Sequence, residues 1–215
     1  MKDDDILTTD EVQHVRRNQD EEKIEVINGP EAEQGPFTGY SGTLNFPDPK
    51  SASPPNMRAA IKKIIEKDGP ISRASVYRLY VEGCPHLQRV GRAIREVLNR
   101  AIGAMLRSGE ITQEDELGNG SPEGQVLRLV GAPMVLVRPA GRRDLLEIPP
   151  SELRIVLERL NSSSESSLSD EILMRGILEH YGFTRLTAMR RGFLNKVIEI
   201  HRKRKESIEE QTQQR

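Results

Sequence analysis

The 215-residue sequence has no tryptophan, a single cysteine, and only four phenylalanines and four tyrosines. The lone Cys84 excludes an intramolecular disulfide framework and a cysteine-based metal site, and one thiol fits a reducing cytoplasm. So few aromatic side chains, with a hydrophobic content of 35%, favour two small helical domains over one large core.

Long apolar runs and ligand clusters are also missing. No segment approaches the ~18 apolar residues that a spanning helix needs, and the N-terminal MKDDDILTTDEV is too acidic and polar for a signal peptide. We therefore expect a cytoplasmic protein without a membrane contact. The four histidines are scattered without metal-ligand spacing, and the glycine-rich stretch 118–124 lacks the lysine of a phosphate loop. No metal and no cofactor is expected.

The formal net charge of −1 conceals an uneven distribution. Residues 1–55 carry 5 basic and 12 acidic side chains, a net −7, whereas residues 56–143 carry 15 and 9, a net +6. Residues 144–205 carry a net +2 and residues 206–215 a net −2. A basic middle beside an acidic leader indicates a polyanionic partner, although arginine-rich helical surfaces also serve solubility alone.

The chain contains an internal repeat. Residues 87–102 (LQRVGRAIREVLNRAI) align with residues 183–198 (FTRLTAMRRGFLNKVI) at an offset of 96 (183 minus 87), and a Pro-Pro pair precedes each copy. A repeat of this length is one supersecondary unit used twice.

The apolar spacing defines the elements of each copy. In the first copy it predicts helices over 57–67, from Ser72 to 81 and over 88–108, then two short strands around a wide turn, with a third strand possible at 134–137. This is the order of a winged helix-turn-helix. The second copy predicts three helices, the first capped by Ser151 and the last starting near Thr184, without a wing.

These patterns predict a mainly α fold of tandem winged helix-turn-helix-like units, the first with a small β-wing. The predicted organisation is an acidic, largely disordered leader over 1–50, a winged-helix-like unit over 51–140, a second, wingless helical unit over 141–205 and a charged tail over 206–215.

One face of the third helix of the first copy is basic. At 100° per residue, apolar side chains occupy one side and arginines with one asparagine the other. Arginine binds phosphates and guanine edges and asparagine binds adenine edges, and a helix in the major groove needs such a face. The predicted nucleic-acid-binding residues of this copy are Arg89, Arg92, Arg95, Asn99 and Arg100, with Arg95 and Asn99 nearest the groove.

The second copy keeps part of this pattern. Its predicted nucleic-acid-binding residues are Arg185, Arg191, Asn195 and Lys196. It departs at Arg190, which stands where the first copy has Ile94, inside the apolar stripe. Because burying an unpaired arginine is costly, either the helix is rotated there or this face is open to a partner.

Two segments carry a family resemblance. The sequence GPISRASVYRLY…RVGRAIREVLNRAIGAMLRSGEI, followed by LLEIPPSEL, resembles the uncharacterised domain at the C-termini of large bacterial superfamily-one helicase-like proteins, over roughly residues 36–200. The resemblance implies an accessory nucleic-acid-binding or coupling module, because catalysis in those proteins lies elsewhere. This chain has no Walker-type GxxxxGK[ST] sequence and would be a stand-alone or split-off tail.

The leading hypothesis is a non-enzymatic module that binds double-stranded DNA and is associated with a helicase-type system. The alternative is a protein–protein interaction scaffold for a helicase or nuclease partner. An enzyme with an unrecognised site is the third possibility, and it would require a deep pocket lined by titratable groups.

Overall fold

A computed structural model describes residues 45–163 and 168–213. In this part of the chain six α-helices accompany one three-stranded antiparallel sheet, which confirms the mainly α fold class. Residues 1–44, most of the leader that is predicted to be disordered, lie outside the described residues. None of the described helices combines the length and apolar composition that crossing a membrane requires.

The first half of the structure contains three helices and the sheet. Its elements are α1 (Pro54–Asp68), β1 (Ile71–Ser72), α2 (Arg73–Glu82), α3 (Arg92–Arg107), β2 (Ile111–Asp115) and β3 (Gln125–Leu129). The sheet order is β1-β3-β2, with Ile71 opposite Leu127 and Ile111 opposite Leu129. The third strand is therefore β1, and the possible strand at 134–137 is not formed.

The second half is helical. A single 3₁₀ turn (Leu145–Glu147) leads into α4 (Pro150–Ser162), α5 (Asp170–His180) and α6 (Ala188–Gln213). No strand follows α6 in the described part of the chain.

Local sequence signals explain most helix starts. The Ser72 hydroxyl accepts a hydrogen bond from the Ser75 amide at 3.1 Å, which confirms the predicted cap of α2. The predicted cap at Ser151 is wrong, since Pro149 occupies the N-cap position of α4 and offers no side-chain oxygen. Instead, the Ser151 amide donates to the carboxylate of Glu116, at 2.7 Å, from the β2–β3 hairpin.

Two helices begin later than predicted. Helix α3 starts at Arg92 rather than 88, because the chain bends through Arg89 and Gly91 takes the extended N-cap conformation. Helix α6 starts at Ala188 rather than near Thr184. Just before this start, the Thr187 hydroxyl accepts a hydrogen bond from the Arg190 amide at 3.3 Å.

Two hydrophobic cores form. In the first, α1, α2, α3 and the sheet enclose Ile61, Tyr80 and Leu98, and Phe46 stacks on Tyr80 with the ring centroids 5.2 Å apart. The second core lies among α4, α5 and α6 and also takes in Leu117 from the hairpin.

A buried hydrogen-bond network around Arg138 and Glu152 joins the two halves. Arg138 donates to the backbone carbonyls of Asp68 (2.8 Å) and Pro70 (2.9 Å) in the first half, while its own amide donates to Glu152 of α4 (2.9 Å). Arg143 donates two further hydrogen bonds to Glu152, at 2.8 and 2.9 Å. These groups are almost fully enclosed, so the network is part of the buried contact between the two halves.

Candidate nucleic-acid interface

The outward face of α3 is lined by arginines. Ile94, Leu98, Ala101, Ile102 and Met105 point into the first core, so the opposite side of the helix meets solvent. Exposed there are Arg92, Arg95, Arg100 and Arg107. Glu96 lies among them and pairs with Arg92 across one turn, with the Arg92 Nε to Glu96 Oε1 distance at 2.9 Å.

Arg89 precedes the helix on which it was predicted to lie. It is exposed in the bend before α3 and, with Lys50, His86 and Arg92, lines a shallow depression of about 410 Å³. Gly91, at the N-cap, provides no side chain to bond the first amides of α3, so the positive end of the helix dipole adds to this basic surface.

Asn99 faces α2 rather than open solvent. It is half-buried, and its side-chain oxygen accepts a hydrogen bond from the Tyr77 hydroxyl. Burial raises the pKa of Tyr77, against the opposing effect of Arg73 and Arg95. Tyr77 therefore remains a neutral donor that fixes the side-chain amide of Asn99. Arg95 lies at the edge of the basic face, on the side nearest α2.

The β2–β3 hairpin carries little positive charge. Arg128 is the only basic residue of the segment 111–129, and it is buried against the carboxylates of Glu114 and Glu116. Asp115 and Glu123 add negative charge to the hairpin. The basic surface of the first half thus belongs to α3 and to the bend before it.

The second copy offers fewer available cations. Arg191 pairs with Glu171 of α5, with the closest N–O distance at 2.7 Å. Arg185, Asn195 and Lys196 are exposed, Arg185 just before α6 and the other two on it.

Arg190 is held by groups within the chain. Its guanidinium donates to Asp144 at 2.6 Å and to the Arg185 carbonyl at 2.9 Å, and lies 4.6 Å from the centre of the Phe183 ring. Burial alone would raise the pKa of Asp144, but the hydrogen bonds from Arg190 and from backbone amides lower it below its usual value. Arg190, which interrupts the apolar stripe in the sequence, is therefore part of an ion pair within the chain.

The basic stretch at residues 202–204, inside α6, is also paired with acidic side chains. Arg202 bonds Asp170, Lys203 bonds Glu199 at 2.6 Å, and Arg204 lies 3.6 Å from Glu114 of β2. This cluster of positive charge is thereby largely balanced.

The predicted residues therefore fall into two groups on different helices, of which the α3 group is the more accessible. Sequence reasoning missed Lys50, placed in the leader, and Arg107, which shares the outward face of α3. The helical periodicity would have found Arg107, whereas no local signal brings Lys50 to the depression.

Among the described residues, no group of three or more His, Cys, Asp or Glu side chains is placed to hold a metal ion. No protein-family model, no curated protein and no solved structure matches this chain. The geometry of the α3 face is thus the main basis for a functional conclusion.

Proposed function

We propose that this chain is a cytoplasmic, non-enzymatic accessory module that binds double-stranded DNA through α3. The first half would be a winged helix-turn-helix and the second a wingless repeat of it. In support, the order α1-β1-α2-α3-β2-β3, with β3 between β1 and β2, is the order expected for three helices followed by a hairpin wing. Such folds place one helix in the major groove.

The observation that carries the proposal is the set of arginines without acidic partners on and beside α3. Within residues 45–163 and 168–213, Arg89, Arg95, Arg100 and Arg107 are exposed and form no ion pair. At 1.5 Å per residue, the 16 residues of α3 extend about 24 Å, and the major groove, about 12 Å wide, admits a helix. The planar guanidinium group binds phosphates through paired hydrogen bonds, as it does carboxylates.

The hairpin would contribute differently from α3. With Glu114, Asp115 and Glu123 on it, its contact with phosphates is unfavourable. We therefore assign DNA contact to the helix and to the bend before it. Association with a helicase-type system rests on the resemblance of the segment that begins GPISRAS.

The test is fluorescence anisotropy of the full chain with duplex DNA, single-stranded DNA and RNA across a salt series. We expect duplex binding whose log affinity falls with log salt by roughly 0.9 for each phosphate neutralised. The double variant Arg95→Glu/Arg100→Glu should lower both the affinity and that slope. The matched control, Lys62→Glu/Lys63→Glu on the exposed side of α1, changes the charge equally and should have a much smaller effect. Equal losses in both variants, or no duplex binding at low salt, would contradict the assignment.

A second candidate function is a protein–protein interaction scaffold for a helicase or nuclease. Exposed apolar side chains favour it: Val130, Met134 and Met189 are 60%, 63% and 71% exposed, and methionine is enriched where partners bind. A stable protein complex lost in Met134→Ser, together with DNA binding that is absent or insensitive to salt, would support this candidate.

A further inference from the structure

We propose that the acidic N-terminal segment, residues 1–44, docks on the basic face of α3 and there competes with DNA. The competition part rests on the proposed function, whereas the docking itself does not. The basic face is defined here as Arg89, Arg92, Arg95, Arg100 and Arg107, together with Lys50 in the depression.

The acidic segment and the basic face have opposite charge. Residues 1–44 contain 11 acidic and 4 basic side chains, a net −7, with groups at 3–5 and 20–22. Residues 86–107 contain five arginines and one glutamate, a net +4. Oppositely charged groups attract each other at distances within the Debye length, about 10 Å at 0.1 M salt.

The point at which the acidic segment joins the described structure lies beside α3. The Phe46 side chain is buried in the first core, and its amide donates to the Gly83 carbonyl, at 2.7 Å, in the turn between α2 and α3. The Tyr80 hydroxyl fixes the next residue by donating to the Pro47 carbonyl at 2.9 Å. A few residues on, Lys50 lines the depression next to the first turn of α3. The acidic segment is therefore attached to the described structure beside the basic face of α3.

The connecting length is sufficient. Glu33 lies 12 positions before Asn45, and an extended chain spans at most about 3.6 Å per residue, so this carboxylate can reach about 43 Å. That distance exceeds the length of about 24 Å calculated for α3. A tethered ligand of this kind acts at an effective concentration on the order of millimolar, so even a weak contact is substantially populated.

The other basic cluster is a poorer partner. Arg202, Lys203 and Arg204 each already pair with an acidic side chain. The arginines of the α3 face, apart from Arg92, have no such pair in the described part of the chain. An incoming acidic segment would have to displace an existing partner at α6 but not at α3.

Docking is tested in the absence of DNA with the full chain. The Asn18→Cys variant carries a nitroxide label next to the acidic group at 20–22, and the native Cys84 is only 1% exposed, so labelling of folded protein is selective. We expect the label to broaden the amide resonances of α3 at 50 mM NaCl, to leave those of α5 sharp, and to lose this effect at 500 mM NaCl. Equal broadening everywhere, or none at α3, overturns the proposal.

Competition is tested with a second full-length variant in which the eleven acidic residues of 1–44 become Asn or Gln. We expect at least threefold tighter binding of a duplex DNA at 50 mM NaCl and nearly equal binding at 500 mM NaCl. The control changes Glu206, Glu209 and Glu210 of the tail to Gln and should have little effect. Broadening at α3 with unchanged DNA affinity would overturn the competition, whereas broadening without DNA binding by any variant would support docking and refute the proposed function.

Discussion

Glu152 is expected to be the residue on which the connection between the two halves most depends. Its side chain is 1% exposed and accepts from the Arg138 amide at 2.9 Å and from the Arg143 guanidinium at 2.8 and 2.9 Å. The substitution Glu152→Gln keeps the shape but removes the charge and turns an amide N–H toward Arg143. Breaking a buried ion pair by changing one partner costs about 3–5 kcal/mol. That is a large part of the 5–15 kcal/mol that stabilises a typical protein.

The assay is urea unfolding followed by circular dichroism at 222 nm, since the chain has no tryptophan. With a slope of about 2–3 kcal/mol per molar urea, the midpoint should fall by about 1–2.5 M. We expect Arg143→Met, added to Glu152→Gln, to restore part of the loss because it removes the charge left without a partner. The control Glu171→Gln breaks an exposed pair with Arg191 and should hardly move the midpoint. A shift in Glu152→Gln no larger than in this control would refute the reasoning.

Three further predictions concern other contacts. In Gly124→Ala, the new Cβ would lie 2.7 Å from the Leu117 Cβ, so we expect a loss of about 1–3 kcal/mol in chemical unfolding, and an unchanged midpoint would contradict this. Burial lowers the pKa of both His180 and His201 below 6.5. The unfolded chain therefore binds more protons below pH 6.5, stability should fall between pH 7 and 5, and His201→Gln should lessen that fall. A double-mutant cycle with Arg190→Met and Asp144→Asn should give a coupling of about 1 kcal/mol in urea unfolding, whereas zero coupling would show that this ion pair contributes nothing.

Much of the fold follows from local sequence signals. The apolar stripes of α1, α2 and α3 and the cap at Ser72 predict three helices near the positions observed. Strand β1 was not predicted as a strand because two residues carry no alternation that could be recognised. The later start of α3 depends on the extended conformation at Gly91, which most residues can adopt and which the local sequence therefore does not signal.

The candidate site was only partly predictable for a different reason. Helical periodicity is enough to place Arg95 and Arg100 on the outward side of α3. Periodicity gives no information about partners from elsewhere in the chain. Tyr77, which bonds Asn99, is 22 positions away from it, and Asp144, which bonds Arg190, is 46 positions away. Such pairs depend on how helices pack, which spacing within a single helix does not encode.

The hydrogen bond from the Ser151 amide to Glu116 has a consequence for how the chain can be divided. The carboxylate that accepts from an amide in the first turn of α4 lies 35 positions upstream, in the hairpin of the other half. A fragment that starts at residue 141 therefore retains the helix-forming sequence of α4 but loses the group that completes its first turn. Although the repeat occurs twice in the sequence, we expect its second copy to lose stability when it is separated from the first.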